Sequence, residues 1–256
     1  MAGAKGAWLA CSLAMTLAIA ATPLAAEIWL STLIERAVLA KQTDRYDHPI
    51  FGGAKPFSEL VLWAVPGPAH RSAPFVPGPD IDYTKTIRVI LPPNRVFEDV
   101  EARIIHLSDA QDAVLVVETD LELGASVVLY DAKGSKIAAT PFIGQKNRWY
   151  APVGAADFDG DGAVDVAYVD RPHLEKALVF ARRDGKTLVE FARVPGLANH
   201  RIGDKTITSG IRDCGQGPEV ILPDADWQTL MAVTPKGSRA LGPFSAKALE
   251  NALTCR

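Results

Sequence analysis

From about residue 45 onward the chain alternates short apolar runs with turn-forming pairs. The runs occupy residues 60–65, 87–91, 113–117, 127–130, 164–169, 177–180 and 219–222, and are rich in Val, Ile, Leu and aromatic side chains. Lys133-Gly134, Asp184-Gly185 and Lys236-Gly237 punctuate them. Runs this short, bounded by glycine turns, read as β-strands rather than helices. Residues 32–42 fit either state: Ile34, Ala37 and Val38 would share a helix face, yet the segment is short enough for a strand. Residues 66–80 contain Pro66, Pro68, Pro74, Pro77 and Pro79, which cannot sustain a hydrogen-bonded ladder, so a loop is expected there.

The runs repeat. Val127-Val128-Leu129 precedes Lys133-Gly134 as Leu178-Val179-Phe180 precedes Asp184-Gly185, an offset of 185 − 134 = 51. That offset also lays 113–117 on 164–168. A looser copy pairs 219–222 with Lys236-Gly237, at 237 − 185 = 52, and a weaker first copy spans 51–91. A period near 50 with about four strands per unit suits the blade of a β-propeller. The expected fold is all-β, a β-propeller-like array of about four blade-type repeats.

The N-terminus changes the compartment. Lys5, the apolar stretch 7–21, the Thr22-Pro23 break and Leu24-Ala25-Ala26 match a secretory signal peptide cut after Ala26. An uncleaved membrane anchor is the competing reading. The division is then 1–26 signal peptide, 27–44 N-terminal segment and 45–256 repeat domain, with a periplasmic or secreted destination. Of three cysteines, Cys11 lies in the leader, leaving Cys214 and Cys255. In an oxidising compartment such a pair usually forms a disulfide, although two separate buried thiols would also satisfy the sequence. A hydrophobic fraction of 48% permits a packed core, and a formal charge of −3 without a basic run argues against nucleic acid as partner. No later segment is long and apolar enough to span a membrane.

The sharpest chemical signal is Asp157-Phe158-Asp159-Gly160-Asp161-Gly162-Ala163-Val164-Asp165. Carboxylates at positions 1, 3, 5 and 9 and a backbone carbonyl at position 7 suit a hard, oxygen-seeking cation, and Gly162 allows the sharp turn at position 6. The expected ligands of Ca2+ are Asp157, Asp159, Asp161 and Asp165, with the carbonyl of Ala163. Magnesium, which keeps more of its waters, fits less well. An EF-hand would need Glu at position 12, where Tyr168 stands, and helices where strands are expected. The bland reading is a metal-free acidic turn.

The stretch Val153-Gly154-Ala155-Ala156-Asp157-Phe158-Asp159-Gly160-Asp161-Gly162, followed by a strand, resembles the FG-GAP or VCBS repeats of integrin α-subunits and many secreted bacterial proteins. The likeness covers about residues 150–190. It implies calcium in a loop between strands of a propeller blade. At the equivalent positions of the preceding copy His106, Ser108 and Ala110 replace the acids, and residues 211–219 keep only Asp213 and Glu219, so one ion site is expected. Beyond this stretch the chain resembles exported proteobacterial proteins of this repeat type through Tyr46-Asp47-His48, Arg171-Pro172-His173, Asn199-His200-Arg201 and Asp226-Trp227. That likeness implies no activity.

Two functions follow. One is a non-enzymatic exported module, monomeric, whose face binds a protein or glycan. The other is a hydrolase of phosphate or sugar esters, using His173, His200 and Arg171. No nucleophile elbow, zinc helix or phosphate loop supports the second. His, Arg and Asp in strand turns commonly serve as structural ties, and Trp149 and Trp227 are most simply packing residues.

Overall fold

The computed structural model describes residues 1, 3, 33–65 and 85–256. Most of the leader at 1–26 and all of the proline-rich segment 66–80 lie outside the described residues. Within them the chain is mostly β-strand. The ambiguous segment resolves as β1 (Leu33–Gln42), paired antiparallel with β2 (Phe57–Val65), which pairs in turn with β3 (Lys85–Ile90). A short β4 (Arg95–Phe97) follows.

Three antiparallel meanders follow. The second unit is β5 (Arg103–Ser108), β6 (Gln111–Asp120), β7 (Gly124–Asp131) and β8 (Lys136–Ala139). The third is β9 (Tyr150–Ala156), β10 (Asp165–Asp170), β11 (Ala177–Asp184) and β12 (Thr187–Pro195). The fourth is β13 (Gly210–Asp213), β14 (Pro218–Pro223), β15 (Thr229–Thr234) and β16 (Gly237–Pro243). All seven apolar runs fall on strands, except for Leu91 and Val164 at the edges of β3 and β10, and the offset of 51 carries β7 onto β11 and β8 onto β12. Because β4 bridges β2 and β6, and β8 meets β12 in parallel at Ala139 and Thr187, the first three units form one curled, half-barrel sheet of 12 strands. The fourth unit is a separate 4-stranded sheet.

Packing explains why the runs are continuous rather than alternating. Successive side chains on a strand point to opposite faces, and here both faces of the inner units are buried. On β6, Val114 and Val116 join Leu60 and Leu62 of β2, while Ala113 and Leu115 face Val166 and Tyr168 of β10. On β10, Ala167 and Val169 join Val220 and Leu222 of β14. On β14, Ile221 meets the only helix among the described residues, α1 (Ala246–Leu253). Each unit therefore shares one apolar layer with the next, and α1 covers the last exposed face.

Each unit also clamps one carboxylate of its second strand between two cations. Glu59 is held by Lys41 and by Arg88 at 3.2 Å. Glu118 is held by Arg95 at 2.8 Å and Lys136 at 2.6 Å. Asp170 is held by Arg171 at 2.8 Å and Arg193 at 2.9 Å, and Glu219 by Arg212 at 2.6 Å and Arg239 at 2.8 Å. An unpaired buried carboxylate would be costly, so each clamp fixes the strands and, at Arg171, the turn that supply its cations.

At the C-terminal end the sulfurs of Cys214 and Cys255 lie 2.05 Å apart, at disulfide distance, and tie the end of α1 to the β13–β14 turn. No helix among the described residues is long and apolar enough to cross a membrane.

Candidate metal centre

The acidic turn joins β9 to β10 and is built from its own carboxylates. Asp157 Oδ1 accepts from the amides of Gly160 at 2.8 Å and Asp161 at 3.1 Å, and its Oδ2 accepts from Gly162 at 2.9 Å. Asp161 Oδ1 accepts from Ala163 N at 2.8 Å. Gly160 and Gly162 stand at φ 83° and 88°, where a side chain would be strained. Phe158 is buried with its ring 4.9 Å from that of Phe180, which pins the turn to the sheet.

Of the four expected acids the structure brings together three: Asp157, Asp159 and Asp165 each offer a carboxylate oxygen within 4.8 Å of the others. Asp165 is fully buried at the start of β10. Its Oδ2 accepts from Phe158 N at 3.3 Å, and its Oδ1 has no hydrogen-bond partner among the described residues. Burial, then the nearby charge of Asp159, push the Asp165 carboxyl up to about 6. Asp161 lies outside this trio and turns to a cation. Arg182 on β11 reaches Asp159 at 2.5 Å and Asp161 at 3.5 Å, its guanidinium 4.1 Å from the centroid of the Phe191 ring. Ala163 is exposed in the turn.

The donor set fits a hard cation. It consists of converging carboxylates, one of them buried with an unpartnered oxygen, and such an oxygen is expensive unless a positive centre satisfies it. Arg182 joins the site only through the fold. No local motif marks it, and only strand pairing, one step beyond the Val166–Ala181 pair, carries it to the base of the turn.

The histidine candidates also meet. His173 Nε2 lies 3.0 Å from His200 Nδ1, and His200 Nε2 lies 3.0 Å from the Asp204 carbonyl oxygen. His200 is buried against Phe51 and Trp149. Burial, then the charges of His200 and His48, hold His173 down to about 4; burial lowers His200 as well. Arg171 shares a small pocket with His173 and is fixed by Asp170 and by Glu175 at 3.3 Å. His48 lines the same pocket, its Nδ1 2.6 Å from Oε1 of buried Glu98. Asp47 is exposed beside it. Trp149 is buried and donates Nε1–H to the Glu98 carbonyl at 2.7 Å, whereas Trp227 is only half-buried under Arg201.

Fold and site together define an all-β repeat protein with a cation-competent acidic turn and a separate histidine-lined pocket. Compared with known proteins, no family model, curated protein or solved structure matches the chain.

Proposed function

We propose that this chain is an exported, calcium-binding β-repeat protein of the FG-GAP or VCBS type, propeller-like in architecture, whose ion is structural and whose surface serves binding rather than catalysis. The observation that carries this reading is the unpartnered Oδ1 of Asp165, buried where the carboxylates of Asp157 and Asp159 converge. Calcium would draw on those three side chains, with Asp161 and the Ala163 carbonyl within the same turn, and would supply the positive charge the cluster lacks. The four strand units, with their shared apolar layers, support the propeller-like reading. The leader-type N-terminus and the Cys214–Cys255 pair support export. Partners of protein or glycan type follow from the class of module.

A hydrolase centred on His173, His200 and Arg171 has less support. His200 is buried and the pocket beside His173 measures about 20 Å³, too little for an ester substrate.

The test is a thermal melt with chelator or with millimolar calcium, since extracellular sites often bind at roughly 10⁻⁴–10⁻³ M. At about a hundredfold excess over Kd the ion adds about 2.7 kcal/mol to stability. The midpoint should rise in the wild type and not in Asp159→Ala. An equal rise in both proteins, or in neither, refutes the assignment.

A further inference from the structure

We propose that the Cys214–Cys255 disulfide is a redox latch on helix α1, which covers the open face of the fourth strand unit and lifts when a dithiol reduces the bond. The shared layers show what α1 covers. The second unit offers Ala113 and Leu115 to the third, and the third offers Ala167 and Val169 to the fourth. The fourth offers Ile221, Leu230 and Ala232 in the same way, and α1 stands where a following unit would. Stacked arrays need a terminal cover of this kind over an apolar face.

The cover is anchored at its two ends and only lightly between them. At its start, Phe244 donates its amide to the Gln228 carbonyl at 2.8 Å and sets its ring edge-on to Trp227, with centroids 5.4 Å apart. At its end stands the disulfide. Of the eight residues of α1 only Ala252 is buried, while Ala248, Leu249 and Leu253 are half-buried. Arg212 Nη1 donates to the Ala252 carbonyl at 2.8 Å. A cavity of about 290 Å³ opens beside the helix, lined in part by Leu230, Leu241, Ala248 and Asn251, so α1 does not seal the layer beneath it. Two turns of helix are marginal in water once their packing is lost.

The backbone makes the bond part of the helix end. Cys255 N–H donates to the Ala252 carbonyl at 3.0 Å and Arg256 N–H to the Asn251 carbonyl at 2.9 Å. These are the two bonds that close a helix when the residue after its C-cap turns left-handed. Cys255 is that residue, with φ 59°. Glycine commonly fills the position, because a side chain is strained there. The link to Cys214 fixes Cys255 in place. Both cysteines are exposed, so a dithiol reaches the bond without unfolding the sheet. One thiolate of the dithiol attacks Cys255 Sγ, and Cys214 leaves as a thiolate that takes up a proton. The second thiol then closes on the mixed disulfide and releases Cys255 as a thiol. Two electrons pass to the protein, and the dithiol becomes a disulfide. The freed helix end loses its left-handed turn, and α1 swings out about Phe244.

Hydrogen exchange read by mass spectrometry tests this on the full oxidised chain, before and after dithiothreitol without denaturant. Alkylation of the freed thiols in the same samples measures the reduction. The bond should open in the folded protein, and exchange in residues 246–253 should quicken at least about tenfold while β6 and β10 keep their protection. Cys255→Ser, a change at an exposed position, should exchange in that segment as fast as the reduced wild type and ignore the dithiol. The wild-type comparison needs no variant to fold. A bond that dithiothreitol leaves closed in the folded protein, unchanged exchange in 246–253 once both thiols are alkylated, or an equal loss of protection in β6 and β10 would overturn the proposal.

Discussion

Asp159 serves two cations in turn under the proposed function. Arg182 holds it at 2.5 Å and a bound calcium would share it, so the arginine is a built-in substitute for the ion. Arg182→Met should lower the melting midpoint in chelator, because the trio then lacks its nearest counter-charge. It should also enlarge the rise produced by calcium. Differential scanning fluorimetry with and without the ion measures both, and an unchanged calcium increment would mean that Arg182 does not compete with it. His173 makes a second single-residue case. Its folded value of about 4 lies below the ordinary imidazole value of 6.5, so the unfolded chain takes up a proton that the folded chain refuses. Stability from the neutral His173–His200 relay is therefore complete above about pH 6.5 and falls as pH drops toward 4. The groups acting on His173 are His200, His48 and Asp204. In urea titrations His173→Gln should lose stability less steeply than wild type across that window. Parallel slopes would show that the relay carries no linkage.

At the scale of elements, what the sequence disclosed was what the core writes most heavily. Runs such as Ala113–Val117 and Val164–Val169 are buried on both faces, so their residues are apolar without interruption and easy to see. Strands β5, β12 and β16 are half-exposed and mix charge with apolar residues, and their pattern is correspondingly faint. Helix α1 carries a local signal as well: Ser245 caps it through the Ala248 amide at 3.0 Å, and Ala248, Leu249, Ala252 and Leu253 form a helical stripe, but at eight residues it is too short to stand out from the strand pattern around it. The acidic turn was legible because its ligand spacing is local. Its arginine was not, nor was the Glu98 behind His48, because both depend on which strands become neighbours. The clamped acids Glu59, Glu118, Asp170 and Glu219 make the same point. They recur once per unit, yet their cations come from different flanking strands or, for Arg171, from the turn after β10, so no fixed spacing announces them.

For the whole molecule, the sequence of shared layers sets the expected order of unfolding. Each inner unit is held from two sides, whereas the fourth meets the third on one face and α1 on the other. Arrays of this kind behave approximately as units plus nearest-neighbour interfaces. Ala252, on the inner face of α1, is 5% exposed and packs against Ile221, Leu230 and Ala232. Ala252→Glu would force a carboxylate into that layer and lift the helix off, while the Cys214–Cys255 link keeps it tethered. The apolar surface uncovered belongs to the fourth sheet, chiefly Ile221, Leu230 and Ala232 with Leu241 of β16, so the damage should stay local. Hydrogen exchange read by mass spectrometry should then show faster exchange in residues 210–243, with β6, β7 and β10 retaining wild-type protection. If protection falls by the same factor from β2 through β16, the chain unfolds as one cooperative body, and its stacked layers do not act as separable interfaces.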